Sequence, residues 1–256
     1  MEEIRDLLAN QVQDSDRIAL TLNIIAENNE HQKPAMKKET LKIIGVMAEV
    51  FEERIIEFLP KILALATKKI KDNDPQLHGP LSDSIGSVIG FGLRNLDLDQ
   101  SYKQISNALK AFYQLLSTGS KFTQIGASMC IAKIIQSSPV ECLYYLIDEI
   151  TFKLIELIKL PSCKAQLQLF ECILSLILAV EENVEKLGEN AKALLPIVID
   201  NMAHPDWNVR KIAVEVIYTL SVLVSDVLTP YKHEILEVLN HCRFDKVHLL
   251  ELLTIF

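Results

Sequence analysis

The sequence contains no apolar run long enough to cross a bilayer. The longest, Cys172 to Val180, is nine residues, where a spanning helix needs about 20. The start, Met1-Glu2-Glu3-Ile4-Arg5-Asp6, is charged and lacks the apolar core of a secretory leader. No membrane contact is expected, and a cytoplasmic protein is. Glycine is scarce, at 8 of 256 residues, and aromatics make up 6%. Alternating Val/Thr/Tyr stretches closed by glycine turns are absent, so no strand is expected. The five cysteines, Cys130, Cys142, Cys163, Cys172 and Cys242, form no Cys-x-x-Cys pair and are odd in number. Their place inside apolar patterns points to a reducing compartment. Basic excess is missing too: 26 Lys and Arg stand against 34 Asp and Glu, a net charge of -8. That excludes a uniformly basic, nucleic-acid-binding surface.

Catalytic signatures are also lacking. There is no Gly-x-Ser-x-Gly elbow, no Gly-rich loop ending in Lys-Ser/Thr and no His-Glu-x-x-His. Gly86 and Gly90 stand one helical turn apart with no strand before them, which reads as close helix packing. His233, His241, His248 and Cys242 fit no zinc spacing, and adjacent His241 and Cys242 point to different helix faces. Glu52-Glu53 and Glu181-Glu182 read as solvated helix ends. No enzyme, cofactor or metal is expected.

What is present is helical. Leu, Ile, Val, Ala, Glu and Lys dominate, and 49% of residues are hydrophobic. Around Ala203-His204-Pro205-Asp206-Trp207, an apolar segment ends and a new stripe begins. Val209, Ile212, Ala213, Val216, Ile217, Leu220, Leu223 and Val224 recur in steps of three and four. Pro205 is expected to stop the first helix and Asp206 to cap the second. This Asp-x-x-Val-Arg turn resembles that of a HEAT repeat, and it recurs. The Val slot is held by Met36, Leu77, Thr123, Cys163, Val209 and Leu250, at intervals of 40 to 46 residues. The spacing predicts a leading helix over 1–12 and then helix pairs. These are Asp16–Asn28 with Pro34–Val50, Phe58–Lys71 with Leu81–Leu93, Tyr102–Ser117 with Thr123–Gln136, and Cys142–Lys159 with Ala165–Val180. The fifth pair surrounds Asp206. The sixth opens at Thr229-Pro230, read as a cap and a first-position proline, and turns at Arg243-Phe244-Asp245-Lys246. Such pairs bury their apolar faces only by stacking. The expected fold is all-α: a single domain over 1–256, a right-handed, curved α-solenoid of about six HEAT-type hairpins with the last incomplete.

In such a stack the turns inside repeats share one edge. They carry Lys33, Lys37, Lys38, Lys121, Lys159, Lys164, Arg210, Lys211, Arg243 and Lys246, while the opposite edge is acidic. The edge predicts binding to an acidic surface, weakened by salt. Trp207, the one tryptophan, sits at a turn tip as a candidate anchor. The bland alternatives are that the lysines simply solvate the turns, that Arg210 pairs with a neighbouring Asp, and that Trp207 folds back over its helix.

Four stretches resemble the amino-terminal HEAT domain of the Tortifolia family. They are Gln32-Lys33-Pro34-Ala35-Met36-Lys37-Lys38-Glu39, Ile125 to Ile135, Asp206 to Ala213, and Cys242-Arg243-Phe244-Asp245-Lys246-Val247. The resemblance implies association with microtubules, through a solenoid similar to TOG domains that meet tubulin with their turns. Leu77-His78-Gly79-Pro80 and Leu249-Leu250-Glu251 depart from the family pattern. The expected function is tubulin or microtubule binding through Lys33, Lys37, Lys38, Lys121, Lys164, Trp207, Arg210, Lys211, Arg243 and Lys246, at the cytoskeleton. The alternative is a scaffold that holds a partner protein's helix or peptide in its concave groove.

Overall fold

A computed structural model describes residues 2–12, 14–27, 33–72 and 74–242. All regular structure among them is helical. The chain forms two compact units, Met1–Cys142 and Leu143–Phe256.

In the first unit α1 (Glu2–Gln11) leads. Three pairs follow: α2 (Ser15–Glu27) with α3 (Pro34–Phe51), α4 (Leu59–Lys71) with α5 (His78–Gly92), and α6 (Leu98–Thr118) with α7 (Lys121–Ser137). Local chemistry sets several of the starts. Pro34 opens α3, where no N–H is required. Asp97 accepts from Gln100 N–H at 2.8 Å to begin α6, and Ser120 accepts from Thr123 N–H at 3.3 Å to begin α7. The second helices α3, α5 and α7 pack side by side. They run parallel: Leu41 and Gly45 of α3 meet Ser84 (2.9 Å from its hydroxyl to the Leu41 carbonyl) and Ser87 of α5 in the same order, and His78, Asp83 and Gly86 of α5 meet Gly126, Lys133 (2.9 Å from Asp83) and Ser137 of α7 in the same order. Leu41, Ile44, Met47, Leu81, Ile85, Val88, Cys130, Ile131 and Ile134 are buried between the helices. Gly86 lets α7 approach, since a Cβ there would sit 3.0 Å from Ser137 Oγ, while one on Gly90 would meet Ser137 at an ordinary 3.6 Å. Gly86 thus has the packing role expected of it. Gly126 of α7 lies against the ring of His78 in the same way.

In the second unit α8 (Val140–Lys159), whose first turn lies at the boundary, pairs in sequence with α9 (Gln166–Ala179). Next come α10 (Val184–Asn201) and α11 (Trp207–Leu223). Asp148 of α8 accepts from Asn190 Nδ2 of α10 at 2.7 Å, and Lys186 Nζ lies 3.5 Å from its other oxygen. Helices α9 and α11 pack together, as do α10 and α11. Asp206 caps α11 by accepting from Asn208 N–H at 2.9 Å, as the sequence predicts. The helix before it ends at Asn201, four residues ahead of Pro205, so the Met202–His204 segment closes it rather than the proline. The stripe of α11 is buried apart from half-buried Leu223.

Three local expectations are corrected. Helix α4 starts at Leu59 rather than Phe58, which closes a 3-10 segment, Glu52–Phe58. Helix α5 starts at His78 rather than Leu81, after the 3-10 turn Pro75–Leu77. Gly79 and Pro80 fit its first turn, where their weaknesses cost no hydrogen bond. Thr229 caps nothing. It continues from α12 (Ser225–Leu228) at φ -51° and ψ -45°, into a 3-10 turn and then α13 (Lys232–Cys242).

Glu52, where α3 meets the 3-10 segment, has φ 48° and ψ -129°. A side chain there costs about 1–3 kcal/mol of backbone strain. Replacing it with glycine relieves that strain but loosens the unfolded chain. Glu52→Gly is therefore expected to stabilise by about 1 kcal/mol, read as a rise of about 2–4 °C in the thermal midpoint.

Candidate functional site: the turn edges

Parallel packing of α3, α5 and α7 gathers their N-termini at one edge of the first unit. In the second unit α9 and α11 also pack side by side. Helix dipoles make such ends electropositive, and acidic side chains are favoured there. Most first helices follow that rule: acids stand in the first turns of α1, α2, α6, α8, α10 and α13, whereas α4 opens without one. The second helices do not. None of α3, α5, α7, α9 and α11 has an acidic residue in its first turn. Instead Lys33 precedes α3, Lys37 and Lys38 lie just inside it, Lys121 opens α7, and Lys211 lies in the second turn of α11.

The cations at these edges sort into two kinds. Some hold the fold. Arg210 wraps back onto its own turn and donates to the carbonyls of His204 (2.7 Å) and Pro205 (3.0 Å). It braces the bend. Lys164 Nζ donates to the Pro161 carbonyl at 2.7 Å, and buried Lys69 lies 3.6 Å from Asp72. Lys68, Lys71 and Lys159 complement the negative C-terminal ends of α4 and α8. Lys68 and Lys71 are exposed additions to the edge, signalled in the sequence by the Lys68-Lys69-Ile70-Lys71 run before the turn. The others gain nothing locally. Lys33, Lys37, Lys38, Lys121 and Lys211 have no ion-pair partner among the described residues. Arg243 and Lys246 lie outside the described residues.

Large apolar side chains stand beside these lysines. Trp207 is 53% exposed at the first position of α11, so it does not fold away. Sequence reasoning missed its counterparts. Met36 in α3 is 54% exposed and Phe122 in α7 is 49% exposed. Met36 fits the Val slot by spacing, but the core stripe of α3 begins at Leu41. The other described slot residues, Leu77, Thr123, Cys163 and Val209, are buried.

His78, at the start of α5, is 2% exposed, and its Nε2 has no hydrogen-bond partner among the described residues. Burial pushes its pKa down, opposed by the Asp74 carboxylate. The unfolded chain therefore takes up a proton first, near the ordinary value of about 6.5. The stability from neutral His78 is present above that pH and is lost as pH falls below it. Thermal midpoints between pH 7.5 and 5 are expected to fall more steeply for the parent than for His78→Gln.

Burial raises the Cys130, Cys142 and Cys163 thiols above their ordinary value, which leaves them poor nucleophiles. Among the described residues no three His, Cys, Asp or Glu side chains gather to hold a metal. No helix among them is long and apolar enough to cross a membrane.

Stacked hairpins in both units define an all-α helical-repeat protein of the α-solenoid class. The structure is similar to an engineered protein solved by crystallography, at TM-score 0.53 and 16% identity, covering 98% of this chain and 93% of that one. A second engineered protein aligns at TM-score 0.50 and 12% identity, over 90% and 92%. The chain belongs to the family described as TORTIFOLIA1 N-terminal, which matches residues 1–251. Among relatives from Arabidopsis thaliana, TORTIFOLIA1-like protein 2 is 25% identical over 91% of this chain and 28% of its own length. The microtubule-associated protein TORTIFOLIA1 is 26% identical over 91% and 27%. The chain thus spans about a quarter of these relatives.

Proposed function

We propose that this chain is a non-enzymatic microtubule-binding domain, which meets the acidic tubulin surface with the turn edges of its repeats. The observation that carries this reading is the inverted charge at the second helices. The N-termini of α3 and α7 lack acids and present lysines without local partners, an arrangement that costs folding energy unless an anionic surface supplies the missing charge. Met36, Phe122 and Trp207 add desolvated contact beside those charges. A relative over 91% of the chain is named as microtubule-associated, which supports the choice of acidic polymer. On this reading the protein acts at the cytoskeleton.

The test is co-sedimentation of the purified chain with taxol-stabilised microtubules between 25 and 200 mM salt. Binding is expected to weaken steadily as screening shortens from about 20 Å to about 7 Å. Absence of pelleting at the lowest salt, or binding indifferent to salt, overturns the reading.

A further inference from the structure

The second unit carries another patterned surface, away from the turn tips. Helices α9 and α11 pack side by side, and each exposes the same motif. On α9 it is Glu171, Leu174 and Leu178. On α11 it is Glu215, Tyr218 and Val222. In both, an acid stands at position i with large apolar side chains at i+3 and i+7, one face of a helix over about 10 Å. Leu178, Tyr218 and Val222 are exposed, Val222 by 62%, and Leu174 is half-buried. Glu171 and Glu215 lie close enough to repel, and partial burial with the Glu215 charge raises the Glu171 pKa. Neither has an ion-pair partner among the described residues. The two acids stand 44 residues apart in sequence, and the approach of Glu171 to Glu215 marks where α9 meets α11.

We propose that this face docks an amphipathic helix of a partner protein, one that presents a lysine or arginine at one end of an apolar stripe. The cation sits between Glu171 and Glu215 and relieves their repulsion. Apolar side chains three and seven residues further along cover Tyr218, Leu178 and Val222. Charge complementarity selects this occupant. An anionic lipid surface meets two uncompensated carboxylates, and a second copy of the same face brings four acids together. The groove between the two packed helices accepts a third helix by ridges-into-grooves packing. The patch is small, so the complex is transient. It is distinct from the turn edge proposed for microtubules.

A 15-residue alanine/glutamine-based helical peptide, with one arginine and leucines three and seven positions after it, serves as probe. Methyl-labelled full chain is titrated with it by NMR. Shifts are expected at the Leu178 and Val222 methyls. Glu171→Lys is expected to weaken binding at least about tenfold while leaving the thermal midpoint unchanged or raised, since it removes a repulsion. The same peptide with glutamate in place of arginine is expected to bind Glu171→Lys/Glu215→Lys in preference to the parent. Val222→Asp tests the apolar half and is expected to abolish the shifts. Lys37→Glu/Lys38→Glu is expected to leave them intact. No methyl shift at millimolar peptide, equal binding of the arginine and glutamate peptides, or methyl shifts that follow chain concentration without peptide would each overturn the proposal. The last would mean that a second copy covers the face.

Discussion

Gly126→Val is expected to destabilise the first unit by about 2–4 kcal/mol, among the largest effects of any single substitution outside the central apolar stripe. A Cβ at position 126 would lie 2.9 Å from His78 Cδ2, 3.0 Å from Nε2 and 3.1 Å from Cγ. The ring it meets is rigid and buried, so it cannot swing into solvent. Alanine at 126 sets that clash against a gain of about 1 kcal/mol in helix propensity and should cost less. Valine adds two methyl groups against the same ring and gains little in propensity. The partner residue supplies the check. His78→Ala opens the space that a valine at position 126 needs, so the double substitution is expected to recover at least about 1 kcal/mol relative to additivity, read in a urea double-mutant cycle. Additive effects would show that the α5–α7 contact is not what excludes a side chain at 126. Gly90→Ala is the control on α5. Its Cβ meets Ser137 at an ordinary 3.6 Å, so propensity decides and a gain of about 0.5–1 kcal/mol is expected.

Much of the fold is legible in the sequence because it is local. The spacing of Val209, Ile212, Ala213, Val216, Ile217 and Leu220 is a helix face, and these residues are buried as that face requires. Asp206 follows the stop of one helix, and its carboxylate finds the Asn208 N–H two residues away. Features that depend on context are less legible. Thr229-Pro230 has the composition of a helix start, yet the chain is already helical at Leu228, so the hydroxyl has no free end to cap. Met36 fits the apolar slot by count, yet α3 buries its stripe only from Leu41. Counting positions cannot show which side of a first turn faces the core. Arg210 illustrates the same limit at the candidate site. Its place in the motif makes it look like a surface cation, while the turn it follows leaves two carbonyls that it satisfies at 2.7 and 3.0 Å. The acid pair of Glu171 and Glu215 joins residues 44 apart in sequence, which only the register of α9 on α11 brings together.

Simultaneous reversal of Lys37, Lys38 and Lys121 to glutamate is expected to weaken microtubule binding about 10- to 100-fold at low salt. It should also flatten the salt dependence. Each of these lysines lies near a helix N-terminus without a local partner, so reversal removes an attraction and installs a repulsion. At about 0.5–1 kcal/mol per reversed charge in an exposed contact, three reversals reach roughly 1.5–3 kcal/mol, and about 1.4 kcal/mol is tenfold. Glutamate near these N-termini is also favoured by the helix dipole. The variant is therefore expected to unfold at the same temperature or slightly higher, which separates lost binding from lost structure. Arg210→Gln should behave in the opposite way. It gives up two charged hydrogen bonds inside its turn and is expected to cost about 1.5–3 kcal/mol of stability, with the salt slope of binding largely kept. Trp207→Ala should lower affinity without altering that slope, because the indole contributes contact area rather than charge. Full-strength pelleting by the triple lysine variant would show that the first unit's turn edge does not meet tubulin. The electropositive N-termini of α3 and α7 would then need another anionic partner.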